Sequence, residues 1–182
     1  MMTDIDCKDE APIKIPYWYF YKIENKVVEC LIEAGIKKYP IDPFEIVKNL
    51  KIQIKAYNDR KCVNEGYSQG GLTRERSIIL YNRRCGKNAI RFTILHELGH
   101  IVLGHKGESD LAERLANHFA GYAIAPPPVI DRIDCKTVKV IMSAFKVSEQ
   151  CAEFRLKYYE RWKNHRIKNY EIKLLRHLGY EI

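Results

Sequence analysis

The sequence predicts a small α+β fold, in which a short sheet and its helices are followed by a wholly helical C-terminal part. Residues 52–56 and 77–81 carry apolar residues in strand-like runs. Apolar residues recur at helical spacing on both sides of these runs. After the three prolines at residues 126–128, only helical patterns remain. At 182 residues, the chain forms one domain or one domain with a small appendage.

The first part of the chain is predicted to contain a flexible segment and two helices. Residues 1–16 are polar and charged without periodicity, whereas the aromatic residues 17–21 are interpreted as a cover for the core. A first helix ends near Gly35, where the apolar pattern is interrupted. A second, short helix begins with Asp42 as its N-cap and Pro43 in its first turn.

Two strands and a long apolar helix are predicted in the middle of the chain. The strands at 52–56 and 77–81 are separated by a turn region with glycines at positions 66, 70 and 71. A polar loop follows the second strand. The next helix is predicted from about residue 87 to residue 105, with Gly104 near its end.

The rest of the chain is predicted to be helical. Ser109 is a good N-cap for a helix that the prolines at 126–128 terminate. Further helices are predicted at residues 137–145, 148–165 and 171–178, and Ser148 is the predicted N-cap of the second of these. We therefore divide the chain into a flexible N-terminal segment (1–16), a main domain (17–133) and a C-terminal helical subdomain (134–182).

The composition argues against several classes of protein. No run of 18 or more apolar residues is present, so no membrane span is predicted. The N-terminus is acidic where a secretory signal is basic and then apolar, which favours a cytoplasmic protein. The six cysteines are scattered without a C-x-x-C pair, so we expect thiols. The net charge of +8 is a modest basic excess that does not by itself indicate a nucleic-acid partner.

The long apolar helix carries the most informative motif of the chain, His-Glu-Leu-Gly-His at residues 96–100. Residues four apart on a helix project from one face, so His96 and His100 can share a single metal ion. Glu97 lies beside them, where it can act on a water molecule at the metal. This H-E-x-x-H pattern is typical of zinc-dependent peptidases.

A catalytic zinc site needs a third protein ligand and one open position. Glu113 is the best candidate, because a glycine-containing turn lets its helix fold back beside the first. Glu108, Asp110 and His105 are the rivals, and His105 is interpreted as a helix-end residue that interacts with the helix dipole. Asn117 lies one helical turn beyond Glu113. It is predicted to hold a metal ligand in position without binding the metal itself.

These motifs together resemble the ImmA/IrrE family of metallopeptidases. The resemblance includes the H-E-L-G-H motif, the stretch Glu-Arg-Leu-Ala-Asn-His-Phe-Ala at 113–120 and the strand-like residues 78–82. It extends to residues 145–149 and 155–156, which resemble the helix-turn-helix-like tail of that family. Overall it covers roughly residues 40–160. The chain departs from the family pattern in having Ala-Ile-Ala, rather than Leu-Leu-Met, before Pro126.

The resemblance implies a zincin-like metallopeptidase domain, with the H-E-x-x-H helix beside a short sheet, and a helix-turn-helix-like C-terminal subdomain. It assigns His96, His100 and Glu113 to Zn²⁺, and Glu97 to general acid and base catalysis. It also implies site-specific cleavage of a protein substrate, a transcriptional repressor of a mobile genetic element or stress regulon. Three tyrosines are left open as groups that stabilise the oxyanion: Tyr67, Tyr81 and Tyr122.

A non-proteolytic regulator is the alternative. The tail could bind DNA or sequester a repressor, since six basic residues lie close together in it: Arg155, Lys157, Arg161, Lys163, Arg166 and Lys168. Aromatic residues crowd the same helix, which favours packing, so no nucleic-acid-binding residue is assigned. No membrane partner is expected, and the sequence does not indicate an oligomeric state.

Overall fold

The computed structural model describes residues 15–59, 66–69, 76–107, 109–134 and 136–182. The flexible segment predicted at 1–16 therefore lies outside the described residues, except for its last two. Within the described ranges, no helix is long and apolar enough to cross a bilayer. The α+β class is confirmed by the elements, which are α1 (Tyr17–Glu33), α2 (Pro43–Asn49), β1 (Gln53–Tyr57), β2 (Gly66–Gln69), β3 (Ile78–Asn82), α3 (Lys87–Leu103), α4 (Asp110–Ile124), α5 (Pro127–Ile130), α6 (Val138–Phe145), α7 (Glu149–Trp162) and α8 (Asn169–His177).

β3 is the central strand of a three-stranded sheet with the order β1-β3-β2. β1 pairs with β3 in parallel, beginning with Gln53 opposite Ile78. β2 pairs with β3 in the antiparallel direction, with Gly66 opposite Tyr81. The prediction of a turn is therefore wrong for residues 66–69. These residues form a strand because they pair with β3, which is distant in sequence. The local glycine pattern carries no information about that pairing.

α1 begins at Tyr17, and its buried face includes Ile23 and Val27. The interpretation of the aromatic run as a cover for the core is confirmed for Phe20, which is half-buried and packs on His118 with the ring centroids 4.6 Å apart. It is wrong for Tyr17 and Trp18, which are 52% and 54% exposed. These aromatic residues lie in the first turns of α1, ahead of the first buried position of the helix. They therefore extend past the end of the core.

Three polar N-caps that the sequence predicts are present in the structure. Asp42 accepts a hydrogen bond from the backbone N–H two residues further on, at 3.0 Å. Ser109 and Ser148 accept hydrogen bonds from the backbone N–H three residues further on, at 3.1 and 3.3 Å. Each cap satisfies an amide of the first turn that has no partner within the helix.

The three prolines interrupt the helices but not the core. α4 ends at Ile124, as predicted, while Pro127 and Pro128 form the first turn of α5. Proline is well tolerated there because the amides of the first turn have no partner within the helix. The hydrophobic core is continuous from Ile23 in α1 to Leu175 in α8. The boundary placed near residue 134 stays a prediction, and the core extends across it.

A buried glutamate in α1 joins that helix to α4, α7 and α8. Glu24 is 1% exposed and accepts hydrogen bonds from the hydroxyls of Tyr158 and Tyr170. His118 Nε2 lies 3.1 Å from the same carboxylate. Burial raises the pKa of Glu24, but the hydrogen bonds, of which that from His118 is the largest, outweigh burial and lower it. The C-terminal helices are thus tied to α1 by polar contacts as well as by apolar packing.

The cysteines that the structure describes differ in burial and in disulfide bonding. Cys30 is a buried thiol, and Cys151 is a half-buried one. Cys85 is disulfide-bonded, so the expectation of thiols throughout is wrong at this position. Spacing along the chain does not reveal which cysteines the fold brings within bonding distance, because that depends on tertiary geometry.

Candidate metal centre

α3 is buried in its central part, at residues 93–95 and 97–99, and is half-buried at the two histidines. Ile94, Leu95 and Leu98 are at most 1% exposed, which fixes the helix against the core. The side chains of His96 and His100 are each 15% exposed. Their spacing of four residues places both imidazoles on one face of the helix.

α4 returns beside α3 in the opposite direction. Gly107, with a φ of 85°, lies in the connection between the two helices. His100 contacts Glu113 in the first turn of α4, and His96 contacts Asn117 one turn later. This order of contacts is that of antiparallel helices. The carboxylate of Glu113 is thereby brought to the two imidazoles.

His96, His100 and Glu113 form a compact group of ligand atoms. The Nε2 atoms of the two histidines are 3.0 Å apart, and each lies 3.2 Å from an oxygen of Glu113. Zinc takes nitrogen and oxygen ligands at about 2.0–2.2 Å in a tetrahedron, which places ligand atoms roughly 3.3 Å from each other. The donor atoms and their separations therefore fit a small tetrahedral metal ion.

The outer nitrogen of each imidazole also has a partner. His96 Nδ1 is 2.9 Å from Asn117 Oδ1. His100 Nδ1 is 3.1 Å from His105 Nδ1. The pKa of His105 is lowered, first by burial and then by the neighbouring His100 imidazole. Both imidazoles are therefore held at the nitrogen that points away from the group of three.

The other residues considered as ligands are placed differently. Asp110 is exposed in the first turn of α4, and Glu108 lies outside the described residues. His105 does not belong to the group of three, because it contacts the outer nitrogen of His100. His118, which the sequence does not suggest as a ligand, contacts the carboxylate of Glu24 in α1.

The structure shows the surroundings of two further candidate residues, Glu97 and Tyr122. Glu97 is 7% exposed, so its position in α3 is largely shielded from solvent. Tyr122 is fully buried, and its hydroxyl donates a hydrogen bond to Glu171 Oε1 at 3.1 Å. Burial and the nearby Glu171 raise its pKa. Tyr122 is therefore part of the C-terminal contact and not a group that faces a substrate.

Gly99 lies where α3 meets the side chain of Phe119 in α4. A Cβ atom at Gly99 would lie 3.2 Å from three atoms of Phe119, which is fully buried. The atoms that approach Gly99 closely therefore belong to a side chain of α4. The glycine thus allows the two helices that carry the ligands to pack closely.

We expect Gly99→Leu to lower the free energy of unfolding by about 1–3 kcal/mol, because it overpacks the contact with Phe119. The variant should also bind metal more weakly, because the added side chain separates α3 from α4. Denaturant unfolding and zinc titration measure the two effects. Gly86→Ser is the matched control, since no atom lies within 4 Å of a Cβ at Gly86. Wild-type stability and zinc affinity in Gly99→Leu would contradict this interpretation.

The contact between His105 and His100 is the feature of the site that sequence reasoning missed. The signal that could have revealed it is Gly104, which ends α3 with a φ of 71°. A left-handed residue at this position turns the chain back over the last helical turn. The backbone N–H of His105 accordingly donates to the carbonyl oxygen of His100 at 3.0 Å.

Comparisons with known proteins give two findings. The family model described as peptidase M78, IrrE N-terminal-like domain, matches residues 49–157, which is more than half of the chain and includes α3 and α4. The chain is also 26% identical over 138 residues to the mitochondrial ATP-dependent RNA helicase MRH4 of Eremothecium gossypii. That similarity covers 70% of this chain and 24% of the helicase. The chain thus spans about a quarter of the length of that curated relative.

Proposed function

Because the chain belongs to the peptidase M78 family of IrrE N-terminal-like domains, we propose that it is a zinc-dependent endopeptidase that cleaves a transcriptional repressor at a specific site. The observation that carries the proposal is the convergence of His96, His100 and Glu113, whose ligand atoms lie within 4.8 Å of one another. Two imidazoles and one carboxylate are a ligand set of zinc hydrolases, in which the fourth position stays open for chemistry.

These three residues would hold the zinc ion, which would supply a Lewis acid for the scissile carbonyl and for the attacking water. Asn117 orients the first imidazole, because its side-chain oxygen accepts a hydrogen bond from His96 Nδ1 and leaves Nε2 free as a ligand. The side chain of Glu113 is 46% exposed, compared with 15% for each histidine. Solvent and a peptide therefore have access to the site from the Glu113 side.

Glu97 is the proposed general base and general acid. Its carboxylate takes a proton from the attacking water as the water oxygen bonds to the carbonyl carbon. The same carboxyl then delivers the proton to the amine nitrogen as the carbon–nitrogen bond breaks. The position of Glu97 directly after His96 in α3, at 7% exposure, supports this role because it keeps the carboxylate close to the candidate ligands.

A repressor protein is proposed as the substrate because of the family to which the motifs belong. A peptidase with one protein target needs contacts beyond the scissile bond, and the C-terminal end of α6 is hydrogen-bonded to the metal helix. Arg91 of α3 donates hydrogen bonds to the backbone oxygens of Phe145, at 3.2 Å, and Lys146, at 3.3 Å. The proposal places the protein in the cytoplasm together with the repressor, encoded by a mobile element or a stress regulon.

Incubation of the purified protein with the repressor encoded by a neighbouring gene tests the proposal. We expect one pair of fragments in the presence of zinc, no cleavage after treatment with a chelator, and cleavage again when zinc is restored. Electrophoresis and mass spectrometry identify the fragments and the cut site. A zinc-loaded, folded protein that leaves every candidate repressor intact would contradict the proposal.

The non-proteolytic alternative has weaker support. Two of the six basic residues of the tail are buried, since Arg155 is 1% exposed and Lys168 is 7% exposed. α7 also carries exposed acidic residues at Glu149, Glu153 and Glu160, which repel phosphate. Specific binding to duplex DNA with a steep dependence on salt, without cleavage, would favour this alternative.

A further inference from the structure

His105 lies beside the group of three without belonging to it. We propose that His105 is a positioning residue, which accepts a hydrogen bond from the outer N–H of His100 and so holds this imidazole in the orientation that binds the metal. The inference rests on the proposed zinc site. Neither the H-E-x-x-H pattern nor the choice of Glu113 as third ligand gives His105 a role.

The geometry of the two rings is that of a hydrogen bond between their edges. The Nδ1 atoms of His105 and His100 are 3.1 Å apart. The ring centroids are 5.0 Å apart, and the ring planes are inclined by 78°. Stacked rings would have nearly parallel planes, whereas an N–H···N contact places the centroids roughly 5 Å apart at any inclination.

The direction of the hydrogen bond follows from which nitrogen of His100 binds the metal. A metal at His100 Nε2 uses the lone pair of that nitrogen, so the ring proton is carried by Nδ1. His100 Nδ1–H is then the donor, and His105 Nδ1 is the acceptor. His105 carries its own proton on Nε2 in this arrangement.

The backbone fixes His105 in the required place. Gly104 adopts a left-handed conformation, and the N–H of His105 donates to the carbonyl oxygen of His100 at 3.0 Å. The same residue is therefore bonded to His100 through its backbone and through its ring. Asn117 contacts the outer nitrogen of His96 in the same way. Each of the two imidazoles therefore has a partner at its outer nitrogen.

Two substitutions of the same branched shape separate hydrogen bonding from packing. In His105→Asn, the amide oxygen of the new side chain occupies nearly the position of the original Nδ1 and can accept the bond, whereas His105→Leu presents a methyl group there. We expect His105→Leu to bind zinc about tenfold more weakly than the wild type, as is usual when the partner of a ligating histidine is lost. We expect His105→Asn to stay within about threefold of the wild type on the same scale.

Zinc affinity is measured by competition with a chromogenic chelator, and thermal melting is recorded with and without zinc. The metal-free melting temperatures of the two variants should agree, while the increase on zinc addition should be smaller for His105→Leu. Equal zinc affinity in the wild type and His105→Leu would overturn the inference, as would equal weakening in both variants. A wild-type protein that binds no zinc would instead contradict the proposed function itself.

Discussion

Replacement of Glu97 with glutamine is expected to abolish cleavage while the protein stays folded and zinc stays bound. The amide has nearly the same shape as the carboxylate but cannot take up the proton of the attacking water. General acid and base catalysis contributes about 10²–10⁴-fold to such reactions, so the cleavage rate should fall by at least about 100-fold. The rate of fragment formation and the zinc content per chain are the two measurements.

Glu45→Gln is the matched control for this experiment. Glu45 is an exposed residue of α2, outside the candidate site, and its loss removes the same charge. The control should cleave at the wild-type rate. Cleavage at the wild-type rate by Glu97→Gln would show that another group handles the proton, and the mechanism above would be wrong.

Replacement of His100 with alanine is expected to remove zinc binding and to lower thermal stability. Loss of a residue that only supports a ligand weakens metal binding by at most about 100-fold. Loss of the ligand itself should therefore weaken zinc binding by more than about 100-fold. Metal binding contributes to folding free energy, and at a zinc concentration of about 100 times Kd this contribution is about 2.7 kcal/mol. For a chain of this size, the melting temperature in zinc should therefore fall by roughly 5–10 °C.

His165→Ala provides the control for the loss of an imidazole. His165 is exposed and stacks on Tyr17, away from the group of three. This variant should keep the zinc affinity of the wild type. If His100→Ala also kept it, His100 would not be a ligand, and the assignment of the metal centre would fail.

The parts of the fold that were predicted correctly depend on local signals. The caps at Asp42, Ser109 and Ser148 are set by side chains that bond to amides two or three residues away. The pairing of His96 with His100 follows from helical periodicity alone. Glu113 comes close to the two histidines because a short turn between two helices leaves few directions for the second helix, and its role as a ligand stays a prediction. Such features need little knowledge of distant parts of the chain.

The features that were missed depend on distant or cooperative contacts. β2 forms because residues 66–69 pair with β3, and nothing in their local composition indicates this. Arg155 looks like a surface cation in sequence, but it is buried, with its Nε donating to the carbonyl oxygen of Ala125 at 2.9 Å. The aromatic rings of Tyr17 and Trp18 are exposed because α1 extends beyond the core. Burial of each side chain was decided by the tertiary arrangement and not by residue type.

The proposed mechanism depends on one zinc ion held by His96, His100 and Glu113. Anomalous diffraction at the zinc absorption edge, from crystals of zinc-loaded protein, locates such an ion. We expect one strong anomalous peak at about 2.0–2.2 Å from His96 Nε2, His100 Nε2 and a carboxylate oxygen of Glu113. No peak at this position in zinc-loaded crystals, or a peak bound by other residues, would contradict it.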